Sequence, residues 1–236
     1  MSLTGQFSIT FDIGDRSYGE AKVDDFELKA SRRALRNLKT LLHCQPMLDL
    51  IHPQIEEADR YFQSVIDASD GRYRECRIDL QVKGLHVMEI MGFRQRFMSK
   101  AETAEGKKDL WLTAMAPAHP EHYAFVPEAQ DSVIEVIGEH MARIYLDTKS
   151  PVPQWVLDYG DPSYPMKKPT IGTLKNGSVL CYILHEFRDT REGADLRLRI
   201  LFPEKAEEVW FREHAEHLAV EFRTGVALAA KEAGRA

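Results

Sequence analysis

With 236 residues, 44% of them hydrophobic, the chain can bury one large core or one core with a smaller appendage. Its formal net charge of −6, without a dense block of Lys or Arg, argues against a nucleic acid or an anionic membrane as partner. No apolar run approaches the ~20 residues of a membrane span and no signal-peptide pattern opens the sequence, so we expect a cytoplasmic protein.

Residues 1–71 are expected to form a small N-terminal α/β extension. Residues 7–13 alternate at period two, which predicts a strand. Two amphipathic helices are predicted around residues 27–43 and 53–68, the second with Pro53 in its first turn. Polar residues and a glycine interrupt the pattern at 69–72, so the main domain is predicted to cover residues 72–236.

The main domain is predicted to consist of strands followed by one long helix. Residues 76–82 alternate cleanly, which indicates a strand wet on one side, and residues 85–104 indicate a helix. Further alternating or apolar runs are interpreted as a meander of strands, with a hairpin turn at Asn176-Gly177 and another turn at residues 191–193. These runs cover residues 110–115, 132–137, 141–147, 170–174, 179–187 and 196–202. The last helix is predicted over residues 203–233, with Pro203 in its first turn.

This order of elements is typical of an α+β fold rather than an alternating βαβ fold. A curved antiparallel sheet that grips the long C-terminal helix would satisfy it. Such an arrangement encloses a cavity between sheet and helix, where a small ligand can bind.

The segment HAEHLAVE, residues 214–221, places an imidazole and a carboxylate one helical turn apart. His217 and Glu221 are separated by about 40° around a helix axis, so both can reach one metal ion or one substrate. His214 and Trp210 share that edge of the helix and are candidates for the wall of a ligand cavity. The alternative is a flanking polar row in which His217 and Glu221 make only a weak contact.

Three further candidates lie in the strands and in one loop. Glu135 is surrounded by Val and Ile, so its carboxylate should be wet at an edge, protonated, paired with a cation or bound to a metal. His119 and His122 lie in a Pro-rich loop, a common setting for metal ligation and also for ordinary exposed turns. His185 lies on an otherwise apolar face of a predicted strand. A histidine in that position is more often a hydrogen-bonded core residue than a catalyst.

Together these candidates supply imidazoles and carboxylates that a sheet-and-helix fold can bring to one place. A site of two imidazoles and two carboxylates suits Zn²⁺, and it leaves Mn²⁺ and Fe²⁺ open as alternatives. No Gly-rich phosphate loop, nucleophile elbow or CxxC pair competes. The three cysteines imply no disulfide framework, and an apolar strand around Cys181 disfavours a reactive thiolate there.

From about residue 77 onward the chain resembles a known family. The resemblance lies in four motifs in order: PEHY ending at Tyr123, IEVIG around Glu135, HEFRDTREG from His185 with LRLR at 196–199, and HLAVEF from His217. Their order is similar to that of the 2,4-diacetylphloroglucinol hydrolase and phloretin hydrolase family. Members are zinc-dependent enzymes that cleave a carbon–carbon bond between an acyl group and a phenolic ring, and the resemblance implies their helix-grip (Bet v 1-like) fold.

Position by position, the resemblance implies one zinc ion with four ligands: His122, Glu135, His217 and Glu221. His119 is a competing loop ligand, because the loop motif here is one residue shorter than in the family, and it is otherwise a candidate for substrate contact. His185 matches an active-site histidine with a substrate-facing or proton-handling role, and Glu135 is assigned to catalysis as well.

We therefore expect a metal-dependent hydrolase of an acylated phenol or a β-diketone-like compound. The main alternative is a non-catalytic helix-grip protein that binds a small hydrophobic ligand, which predicts that His122 and His217 lie far apart. A third hypothesis is a related metalloenzyme that isomerises or decarboxylates its substrate. The N-terminal extension is a candidate homodimer surface, because symmetric dimers are the commonest soluble oligomers.

Overall fold

The computed structural model describes residues 9–99, 103–127 and 131–235 and divides into two compact units, Met1–Leu41 and Leu42–Ala236. The first unit contains a hairpin of β1 (Thr10–Ile13) and β2 (Arg16–Gly19), followed by α1 (Glu20–Leu41). The strand predicted over residues 7–13 is present from residue 10, and residues 7 and 8 lie outside the described range. α1 begins earlier than predicted because its first turns are polar and mostly exposed, so no apolar pattern marks them.

α2 (Gln45–Ser69) belongs to the larger unit, so the division falls at residue 41 rather than near residue 71. The reason is packing, since three α2 residues lie in the same buried cluster as the sheet: Ala58, Phe62 and Val65. Pro46 occupies the first turn of α2. Pro53, predicted to open the helix, instead lies inside it on an exposed face, where the carbonyl that loses its partner can face water.

The larger unit is built on a seven-stranded antiparallel sheet curled into a half-barrel. Its order is β3-β9-β8-β7-β6-β5-β4, so the strands form a meander except that the first pairs with the last. The predicted Asn176-Gly177 turn joins β7 and β8, with Gly177 at a φ of 88°. The strands are β3 (Tyr73–Lys83), β4 (Ala124–Pro127), β5 (Asp131–Ile137), β6 (His140–Asp147), β7 (Met166–Thr173), β8 (Val179–Asp189) and β9 (Gly193–Pro203).

The remaining helices lie before, within and after the meander. They are α3 (Val87–Ser99), α4 (Ala104–Leu110), a π-helical turn (Trp111–Met115), α5 (Ala116–Ala118), α6 (Gln154–Leu157) and α7 (Glu208–Glu232). Residues 110–115 are therefore helical, and the predicted strand is wrong. A short apolar run does not distinguish a strand from a helix. Pro203 ends β9 and does not open the last helix. Among the described helices, none combines the length and apolar character needed to cross a membrane.

The main core lies between the sheet and helices α2, α3 and α7, and Trp210 anchors α7 within it. The Trp210 ring packs edge-on against Phe62 and Phe202, with centroid distances of 5.1 and 5.8 Å. Gly138, in the turn after β5, lets this ring approach, since a Cβ there would lie 3.0 Å from Cδ1 of Trp210. The first turn of α7 is therefore fixed against the end of β5.

Candidate metal centre

Side chains from a loop, a strand and α7 converge at one place. Nε2 of His122, in the loop after α5, lies 3.1 Å from Nε2 of His217 on α7. Oε2 of Glu135, on β5, lies 3.7 Å from the first nitrogen and 3.5 Å from the second. Glu221 offers a carboxylate oxygen within 4.8 Å of ligand atoms of both histidines. All four predicted metal ligands thus lie together.

The spacing of the three nearest atoms matches that of ligands on one zinc ion. They form a triangle with sides of 3.1, 3.5 and 3.7 Å. The nearest point equidistant from them, in the plane of the three atoms, lies about 2.0 Å from each, at the short end of the usual range of Zn–N and Zn–O bonds. The donor set of two imidazoles and two carboxylates also suits Mn²⁺ or Fe²⁺.

The tautomer of His122 directs a lone pair into this group. Its Nδ1 lies 2.9 Å from the carbonyl oxygen of Met115, and a carbonyl only accepts, so the ring proton is on Nδ1. Met115 stands near the end of a helical segment, where carbonyls lack helical partners. The backbone N–H of Tyr123 donates to Ile134 on β5 at 2.8 Å and fixes the loop to the sheet. A metal-binding histidine commonly has such a carbonyl partner.

His119 lies beside the group in a different orientation. Its Nδ1 accepts a hydrogen bond from the N–H of Glu121 at 3.1 Å, so the neutral ring carries its proton on Nε2. Its ring stacks on His217 with a centroid distance of 3.7 Å and an interplanar angle of 24°. His119, Glu121 and His217 also have ligand atoms within 4.8 Å of one another. However, nearly parallel rings do not point their lone pairs at one ion, so the geometry favours His122 as the loop ligand.

Burial governs the ionisation of the group. Desolvation raises the pKa of Glu135 to about 8, and Glu221 and Glu121 act in the same direction. Desolvation also lowers the pKa of His217 far below its usual value, with further contributions from His214, His119 and His122. The histidine therefore stays neutral, as a metal ligand must, and a cation placed here would favour the ionised form of Glu135.

The other predicted site residues do not join this group. His185, half-buried on β8, accepts from the backbone N–H of Arg199 through Nδ1 at 3.3 Å, and its ring meets Phe222 of α7 edge-on at 5.2 Å. Burial lowers the pKa of His185 to about 3. Trp210 makes the contacts of a core residue, which lend no support to a role in a cavity wall. His214 is buried, and its ring lies parallel to that of His217.

Two features of the centre had no usable signal in the sequence. The Met115 carbonyl is a backbone group, so no residue type announces it. Glu121 stands in the same loop motif as His122, but only the fold shows that its N–H orients His119.

Cys181 is buried, and burial raises its pKa to about 12, in line with the expectation of an unreactive thiol.

Comparisons with known proteins yield little for this chain. No family model matches it, and no curated protein matches it. Among solved structures it is similar to that of a protein of unknown function, SA2116, from Staphylococcus aureus, with 6% identity and a TM-score of 0.37. The similarity covers 69% of this chain and 98% of the other. A likeness this distant bears on neither fold nor function.

Proposed function

We propose that this protein is a metal-dependent hydrolase, with zinc as the favoured ion, that cleaves a carbon–carbon bond next to a carbonyl. Its proposed substrate is an acylated phenol or a β-diketone-like small molecule. The observation that carries the proposal is the convergence of four ligand side chains: His122, Glu135, His217 and Glu221. The half-barrel sheet and α7 support assignment of the main domain to the helix-grip (Bet v 1-like) fold.

The reaction consumes one water molecule. Its hydroxyl group joins the acyl carbon to give a carboxylic acid, and a hydrogen joins the ring carbon as the carbon–carbon bond breaks. A zinc ion held by the four residues would supply a Lewis acid for the carbonyl and lower the pKa of water towards ~7. Glu135 can take up the proton of the attacking water at a carboxylate oxygen, because a cation held beside it would keep this buried carboxyl ionised.

His185 is proposed to face the substrate. Its Nδ1 accepts a hydrogen bond, so the neutral ring presents an N–H at Nε2. Such a donor can hold a phenolic oxygen and stabilise the charge that develops there as the ring carbon departs. His119 and His214, both stacked on His217, are proposed to border the same space.

Metal analysis of the purified protein tests the proposal. We expect stoichiometric zinc in the wild type, loss of hydrolysis of an acylated phloroglucinol or phloretin after chelation, and recovery on adding zinc. His217→Ala and Glu221→Ala should lose the metal, whereas His52→Ala, which removes an exposed histidine of α2, should keep it. Stoichiometric metal in both site variants would refute the assignment.

The rival proposal of a non-catalytic ligand-binding protein predicts widely separated His122 and His217, and the 3.1 Å between their Nε2 atoms counts against it. Isomerisation or decarboxylation at the same centre is separated from hydrolysis by product analysis. Only hydrolysis of an acyl phenol releases a free carboxylic acid together with the deacylated ring.

A further inference from the structure

The ring of His217 contacts two other imidazoles besides that of His122. His119 stacks on it at 3.7 Å between centroids, and His214 lies parallel to it at 5.2 Å with an interplanar angle of 6°. His214 precedes His217 by three residues on α7, so the two side chains are neighbours on the helix surface. His214 belongs to neither group of potential ligands found among the described residues.

His214 and His217 each bury a ring nitrogen that lacks a partner. Both residues are 4% exposed, and within the described part of the chain neither Nδ1 atom has a hydrogen-bond partner. Buried polar atoms are nearly always hydrogen-bonded, so each needs an explanation. For His217 the need is specific, because Nε2 faces the ligand group and a metal-binding histidine almost always hydrogen-bonds through its other nitrogen.

We infer that His214 is the positioning residue for His217, acting through a water molecule shared by their two Nδ1 atoms. A buried water needs at least two polar partners, and the two unpartnered Nδ1 atoms lie on parallel rings whose centroids are 5.2 Å apart. In this arrangement Nδ1–H of His217 donates to the water, and the water donates to Nδ1 of His214. When an ion is bound, the arrangement leaves the lone pair of His217 on Nε2, on the side of His122 and Glu135. Phe202 meets the His214 ring edge-on at 5.1 Å and holds it in place.

This inference rests on the proposed function, since it gives His214 a role only if His217 binds a metal. His214→Phe keeps a ring against Phe202 but removes the nitrogen. His214→Asn restores a polar atom near the position of Nδ1, and His214→Gln moves it towards the position of Nε2. His52→Phe, on the exposed face of α2, is the matched control for loss of a histidine.

Zinc affinity, measured by competition with a chromophoric chelator, and the visible absorption spectrum of the Co²⁺-loaded protein are the readouts. We expect the Phe and Gln variants to bind zinc about 10–100-fold more weakly than the wild type, with a shifted Co²⁺ spectrum. The Asn variant and the His52→Phe control should stay near the wild type. A merely structural role would lower thermal stability without separating Asn from Gln.

The outcomes separate the inference from the proposed function. If the wild type binds zinc and the folded Phe variant binds it equally well with an unchanged Co²⁺ spectrum, the inference is wrong and the proposed function stands. If the Phe variant does not fold, equal zinc affinity of the Asn and Gln variants overturns the inference. A wild type that binds neither ion overturns both.

Discussion

Glu135 is a buried acid whose charge depends on its neighbours. It is 7% exposed, and burial raises its pKa from 4.5 to about 8. The folded, metal-free protein therefore holds this proton more tightly than the unfolded chain does. Its stability should fall as the pH rises from about 4.5 to about 8, by at most about 1.4 kcal/mol per pH unit from this group.

Glu135→Gln removes that titration. In the presence of a chelator, the free energy of unfolding of the variant minus that of the wild type should grow as the pH rises through this window and level off above it. Urea denaturation at several pH values measures the difference. Excess Zn²⁺ should reverse the order, because only the wild type offers the Glu135 carboxylate to the ion in addition to that of Glu221. Parallel pH profiles for the two proteins without metal would contradict the argument.

The sequence predicts the roles of some of these residues and not of others. The apolar neighbours of Glu135 left open whether its carboxylate is wet at an edge, protonated, paired with a cation or bound to a metal, and the structure buries it. The i, i+4 spacing of His217 and Glu221 predicts their common reach on a helix that is present. The choice between His119 and His122 could not be made. It depends on a backbone carbonyl and a backbone N–H whose positions are set by the fold.

At the scale of elements, α2 contributes to the same core as the sheet. Phe62 of α2 is fully buried and meets Trp210 and His140 edge-on. Phe62→Ala should therefore lower the free energy of unfolding by about 3–5 kcal/mol, through lost burial and a residual cavity. Leu50→Ala, at a 62% exposed position of the same helix, should change it by less than about 0.5 kcal/mol. Equal effects in urea denaturation would show that α2 is not part of the core.

A buried ionic network joins β7, β8 and β9. Glu186, fully buried on β8, accepts hydrogen bonds from Arg199 at 2.7 Å, from Lys167 at 2.8 Å and from the backbone N–H of Asp161 at 2.8 Å. Arg199 is itself buried and pairs in addition with Glu75. Removing the Glu186 charge leaves the buried guanidinium of Arg199 under-compensated.

We expect Glu186→Gln to destabilise the fold by on the order of 3 kcal/mol, as measured by urea denaturation. The matched control is Glu192→Gln. The Glu192 carboxylate forms an exposed ion pair with Lys83, so its loss should lower the free energy of unfolding by less than about 1 kcal/mol. The network claim fails if the two substitutions cost the same. High salt should weaken the control pair and leave the effect at Glu186 largely intact.

The elements also show where local sequence patterns are informative. Alternating or apolar runs predict β3, β5, β6, β8 and β9. β3 alternates between more and less buried residues, whereas most residues of β8 and β9 are buried or half-buried on both faces. The apolar run at the π-helical turn predicts a strand wrongly, because it is too short to show a period. The pairing of β3 with β9 joins residues more than a hundred positions apart, and no local pattern encodes it.

At the scale of the whole molecule, the division into two units predicts different outcomes for two N-terminal deletions. A chain that begins at Leu42 keeps α2 and the complete core of the larger unit, so it should fold and unfold cooperatively. A chain that begins at Arg72 loses α2 and exposes the apolar surface that Ala58, Phe62 and Val65 cover. We expect it to aggregate or to unfold without cooperativity. Circular dichroism melts and size-exclusion chromatography distinguish these outcomes, and a cooperative transition with an unchanged midpoint in the shorter chain would place the domain boundary at residue 71 after all.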